Sequence, residues 1–113
     1  VGVEFSPQLH QVAQENLRKF KQATGKGANV SLELGDASQY PIPPGPGVYY
    51  FYNPFGPDIL GRVVENIGRS LASQPRTCYL VYYNPVHEEV LAGAGFLERV
   101  VNHPEYAIYR SRP

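Results

Sequence analysis

The chain has no tryptophan, no methionine and a single cysteine, Cys78. One cysteine excludes an intramolecular disulfide framework, and without clustered histidines it excludes a zinc site of the usual ligand spacing. Its place inside the apolar run Thr77 to Tyr83 predicts a buried, inert thiol rather than a nucleophile. An excess of either charge is also missing: ten Lys and Arg balance ten Asp and Glu, so no net charge steers the chain toward nucleic acid or a membrane surface. No apolar run approaches the roughly 18 residues that cross a bilayer, and no charged-then-apolar leader is visible, which makes the cytoplasm the simplest expected compartment. No serine lies in a nucleophile elbow and no lysine in a phosphate loop. At 113 residues the chain is long enough for one hydrophobic core and is read as a single domain, residues 1–113, below the usual size of a complete doubly wound enzyme domain. The absent methionine and the start directly on a strand predict a fragment or a processed product.

What is present is an alternation of strand and helix patterns. Val1 to Glu4 is a short apolar strand ending in an acid. Ser6 and Pro7 then give a capping hydroxyl followed by proline at the first helical position, where its missing N–H costs nothing. The helix is expected to run to about Ala23, with Leu9, Val12, Ala13, Leu17 and Phe20 on one face. Val30, Leu32 and Leu34 alternate with polar residues, as in a strand buried on one face at a sheet edge. Tyr40 to Gly47 holds four prolines in eight residues, a stiff extended connection. Val48 to Tyr52 and Thr77 to Tyr83 are continuous apolar and aromatic runs, expected of strands covered on both faces. Between them Pro57 and Asp58 open a helix with the stripe Leu60, Val63, Val64, Ile67 and Leu71, ended by Gln74 and Pro75. Asn84 and Pro85 are expected to cap a third, short helix to about Ala94, with Gly95 as a left-handed terminator. Phe96 to Val101 and Tyr106 to Tyr109 close the chain as an antiparallel hairpin.

Several residues carry candidate chemistry. Glu4, at the carboxyl end of a strand, can accept from a ribose diol; the competing reading is a surface carboxylate beside a helix start. Phe5 can lie on an adenine face or pack on the helix. Gly35-Asp36-Ala37 follows the second strand, where Asp36 can accept from an exocyclic amine and neighbouring N–H groups, such as that of Ala37, can meet ring nitrogens; Gly-Asp is also common turn chemistry. Asn53 and Phe55 of Asn53-Pro54-Phe55-Gly56 can accept from and stack on a substrate, or simply turn the chain. His87 follows a strand end, where it can serve as a base or substrate contact, the commoner reading being a solvent-facing histidine in a helix's first turns; His10, His87 and His103 form no ligand cluster, and no metal is expected. Six of the nine tyrosines fall in the two continuous strands, so sheet packing explains them better than a platform for single-stranded nucleic acid.

Together these residues resemble the class I S-adenosylmethionine-dependent methyltransferases. Val-Gly-Val-Glu is similar to that family's ribose-binding strand, with Glu4 in the acid position, and Gly35-Asp36-Ala37 to its adenine-reading segment. Asn53-Pro54-Phe55 is similar to its fourth motif, with one proline where amino-group methyltransferases have two, and the methyl acceptor is left open. The resemblance implies an α/β fold, a Rossmann-like, mostly parallel sheet in three αβα layers with a C-terminal antiparallel hairpin. It covers the later two thirds of such a domain, with the first strand and glycine-rich loop missing. The implied strand order is 3-2-1-4-5-7-6. Without strand 1, strands 2 and 4 are expected to have open edges that pair with each other, with another chain or with a retained segment, and self-association through them is an expected partner interaction. The implied cofactor is S-adenosylmethionine and the implied activity methyl transfer, with this chain alone a poor enzyme. A nicotinamide-dependent dehydrogenase stays open, since an acid at the end of the second strand serves a dinucleotide equally well. So does a noncatalytic module of the same fold.

Overall fold

A computed structural model describes residues 1–52 and 56–112, with the side chain of Tyr52 outside the description. The elements are β1 (Gly2–Glu4), α1 (Pro7–Thr24), β2 (Leu32–Leu34), a single 3-10 turn (Ala37–Gln39), β3 (Gly47–Tyr52), α2 (Pro57–Ser73), β4 (Cys78–Tyr83), α3 (Glu88–Ala92), β5 (Leu97–Asn102) and β6 (Tyr106–Ser111). The fold is mixed α/β. Among the described residues the strands pair as β1-β2 and as β3-β4-β6-β5, with two parallel and two antiparallel pairings. The chain divides into two compact units, Val1–Tyr40 and Pro41–Pro113.

The first unit is one β-α-β crossover. Ser6 Oγ accepts from the Leu9 N–H at 3.3 Å and Pro7 fills the first turn, so α1 starts where its cap dictates. It ends at Gly25, whose φ of 67° favours a residue without a Cβ, and the Gly25 N–H donates to the Lys21 carbonyl. Parallel pairing sets Glu4 opposite Leu34. The strand expected from Val30 begins only at Leu32. The apolar stripe on α1 exists, but Leu9, Val12 and Phe20 are exposed and the helix buries no residue fully.

The second unit holds the core. Phe51 of β3, Cys78, Leu80 and Tyr82 of β4, Ala107 and Tyr109 of β6 and Leu97 of β5 share one face by register, and all are buried. The stripe Leu60, Val63, Val64, Ile67 and Leu71 of α2 and Leu91 of α3 complete it. Phe51 and Tyr82 meet edge to face with centroids 6.4 Å apart. The opposite face corrects an expectation: β3 is not covered on both sides, since Val48 is 66% and Tyr50 62% exposed. An apolar run alone says that a strand avoids polar neighbours; it does not say that a second layer lies over it.

Arg76 organises the proline-rich connection. Its Nε donates to the Gly45 carbonyl at 2.6 Å, Nη2 to the Pro43 carbonyl at 3.1 Å and to Ser70 Oγ at 2.7 Å, and Nη1 to the Ser70 and Gln74 carbonyls. One guanidinium thereby holds the stiff segment before β3 and caps the carbonyl end of α2, where a cation is favoured. The turn after β4 also departs from expectation. Asn84 does not cap a helix but adopts φ 52°, a conformation asparagine tolerates better than most residues, and its N–H donates to the Glu105 carbonyl at 2.7 Å. The third helix starts at Glu88 after His87, stops at Ala92 rather than Ala94, and ends on Gly93 at φ −79°. Gly95 lies outside the left-handed region and is no terminator.

Candidate functional site

The first unit brings the predicted cofactor residues together at the carboxyl ends of β1 and β2. Glu4 ends β1, half-buried, and its Oε1 accepts from the Ser6 N–H at 3.0 Å. The turn that closes on itself to cap α1 therefore also fixes this carboxylate, and Oε2 has no partner among the described residues. The Glu4 carbonyl accepts from Gly35 N–H at 2.9 Å, which holds the following Asp36 turn beside it. Asp36 Oδ1 accepts from the Ser38 N–H at 2.9 Å and from Ser38 Oγ at 2.7 Å, capping the short 3-10 turn that Ala37 opens. Phe5, next to Glu4 in the chain, is 77% exposed. Asn53 and Phe55, the acceptor candidates, lie outside the described residues.

In the second unit the carboxyl end of β4 carries groups that sequence reasoning did not single out. Tyr83 and Tyr106 are register partners on β4 and β6, their rings parallel within 15° at 6.5 Å. His103, in the β5-β6 turn, stacks on Tyr106 at 4.3 Å and 11°. The Tyr83 hydroxyl donates to Glu105 Oε2 at 3.0 Å. Nothing in the spacing announces this cluster, because Tyr83 meets Tyr106 only once β6 has inserted next to β4. His87, the histidine that the sequence did place on this rim, is half-buried, with Nδ1 3.8 Å from Glu89 Oε1 and its N–H donating to the Tyr82 hydroxyl at 3.2 Å. That arrangement suits a helix start better than a base.

Beneath the rim, the Tyr109 hydroxyl donates to Glu88 Oε1 at 2.9 Å, and Arg99 Nη2 meets the same oxygen at 2.8 Å. Burial, and then the carboxylate of Glu88, push the Tyr109 phenol up to about 12. Cys78 is fully buried, as its apolar surroundings predicted. A groove of about 690 Å³ lies at the other end of the sheet, bordered by Phe96, Glu98, Arg110 and Arg112. Its charges are largely internal: Arg110 pairs with Glu98 and holds that carboxyl below the usual range. Among the described residues no group of three or more His, Cys, Asp and Glu is placed to hold a metal ion, and no helix is long and apolar enough to cross a membrane. Compared with known proteins, the chain matches no family model, no curated protein and no solved structure.

Proposed function

We propose that this chain carries the nucleoside-binding strands and the acceptor side of a Rossmann-like, S-adenosylmethionine-dependent methyltransferase. The observation that carries the reading is the strand order. Within the second unit, β4 and β5 run the same way and the last strand, β6, lies reversed between them, giving β3-β4-β6-β5 with β3 parallel to β4. That is the 4-5-7-6 portion of the order implied by the resemblance, and β1 beside β2, parallel and joined by α1, supplies its 3-2 portion. The dinucleotide-binding order 3-2-1-4-5-6 ends on a parallel strand with no such inserted reversal, which weighs against a dehydrogenase.

The residues at the carboxyl ends of β1 and β2 suit a nucleoside. Glu4 is anchored through one oxygen and can accept a ribose hydroxyl through the other. Asp36, on the same rim, is the candidate acceptor for an exocyclic amine, and Phe5 offers a ring face to a flat base. When bound, S-adenosylmethionine supplies an electrophilic methyl group that an acceptor takes by in-line displacement. The protein's own part is to orient both partners and exclude water, which asks little covalent chemistry of its side chains.

Glu4 tests the reading. Losing one charge-assisted hydrogen bond costs about 1.5–3 kcal/mol, or about ten- to a hundredfold in affinity. Glu4→Ala in the complete protein is therefore expected to weaken S-adenosylhomocysteine binding by that factor in a calorimetric titration. An unchanged dissociation constant would remove Glu4 from the site.

A further inference from the structure

We propose that His103, Tyr106 and Tyr83 form a stacking platform for a flat, amino-bearing heteroaromatic ring, with Glu105 accepting a hydrogen bond from its N–H. The inference rests on the methyltransferase reading only for which end of the sheet a substrate approaches, and it names the class of acceptor that end takes.

The three rings make a ladder along the carboxyl end of β4. Its inner members are fixed by strand register, and its outer member is fixed by the turn. His103 is exposed, but it is not a loose surface side chain. Nδ1 accepts from the Glu105 N–H at 3.1 Å, the His103 N–H donates to the Tyr106 carbonyl at 3.2 Å, and one ring face lies flat on Tyr106. The residue is otherwise exposed. A ring whose orientation is already set loses little freedom when a ligand stacks on it, which is how preorganised sites gain affinity. The hairpin turn is held against the sheet by the Asn84 N–H to the Glu105 carbonyl, a bond made by a residue at φ 52°. Strained backbone of this kind is commonly found where a site must be kept in shape.

The chemistry of the ligand follows from what surrounds the rings. The face offered to a ligand is the imidazole of His103 backed by Tyr106, and stacking on an aromatic ring of this kind selects a flat aromatic partner. Glu105 Oε2 is held by the Tyr83 hydroxyl, and Oε1 has no partner among the described residues. An ionised carboxylate only accepts, so the ligand must present a donor.

The test is an NMR titration of the complete protein with 2-aminopyridine, 2-methylpyridine and cyclohexylamine, read at the ring resonances of His103 and Tyr106. These probes are flat with a donor, flat without one, and donor-bearing without a flat face. On the proposal, 2-aminopyridine shifts both rings and binds about tenfold or more tighter than either analogue. His103→Ala weakens it by about tenfold while His103→Phe, which keeps a ring, retains it; Glu105→Ala abolishes the preference over 2-methylpyridine. Both sites are exposed turn positions, and unchanged dispersion of the remaining amide signals verifies that the variants fold. Equal binding of cyclohexylamine, unchanged affinity in His103→Ala, or no shift at either ring would overturn the platform. Binding of S-adenosylhomocysteine without 2-aminopyridine would overturn the platform and leave the proposed function standing. Binding of 2-aminopyridine at these rings without S-adenosylhomocysteine would do the reverse.

Discussion

Tyr109→Phe removes one oxygen from the core of the second unit and should do so with a pH signature. The hydroxyl is buried and donates to Glu88 at 2.9 Å, and burial together with that carboxylate raises the phenol from 10 to about 12. In the unfolded chain the phenol titrates near 10. The group therefore contributes its full stabilisation below pH 10 and loses it as pH rises toward 12, because the unfolded state releases its proton first. A displacement of that size is worth at most about 2.7 kcal/mol, and about half is lost by pH 11. Replacing the ring by phenylalanine keeps the packing and leaves Glu88 paired with Arg99, so the cost near neutrality is that of one hydrogen bond to a charged acceptor, about 1.5 kcal/mol. Urea unfolding of both proteins should show that gap at pH 8 and little of it at pH 11. Tyr49, whose phenol is also raised by burial, titrates in both proteins and cancels from the difference. A gap of the same size at the two pH values would refute the coupling between the hydroxyl and Glu88.

Three further outcomes test the packing account. Arg76→Ala should lower stability by about 3 kcal/mol in urea unfolding, since it strips donors from the Pro43, Gly45, Ser70 and Gln74 carbonyls at once, and Arg76→Lys should recover less than half, because an ammonium cannot reproduce the planar fork. In α2, a Cβ at Gly61 meets nothing within 4 Å, so Gly61→Ala should stabilise by about 0.5–1 kcal/mol through helix propensity. A Cβ at Gly68 would stand 2.7 Å from Phe96 Cε1, so Gly68→Ala should cost about 1 kcal/mol, and pairing it with Phe96→Leu should reverse the sign; additive effects of the two changes would contradict the contact.

Local signals in this sequence were legible because their physics is local. Ser6 before Pro7 set the start of α1, and the period of Leu60 to Leu71 identified the buried face of α2. Glu4 and Asp36 could be placed on one rim because both follow short strands flanking a helix. What escaped was set by neighbours distant in sequence. The exposure of Val48 and Tyr50 depends on which layers cover β3, and an apolar run reads the same on an open face as on a closed one. Asn84-Pro85 looks like a helix cap in isolation, but the carbonyl of Glu105 captures its N–H and turns it left-handed instead. The stacking of His103 on Tyr106 required the β5-β6 hairpin to close with its turn at the end of β4. Arg76 sat unnoticed between two elements because a connecting cation has no periodicity, and its partners lie as far back as Pro43.

The measurement that bears most directly on the account is calorimetric titration of S-adenosylhomocysteine and, in parallel, NAD into the complete protein, including whatever sequence flanks these residues. The account predicts micromolar binding of S-adenosylhomocysteine and none of NAD. Preference for NAD, or binding of neither, would contradict it.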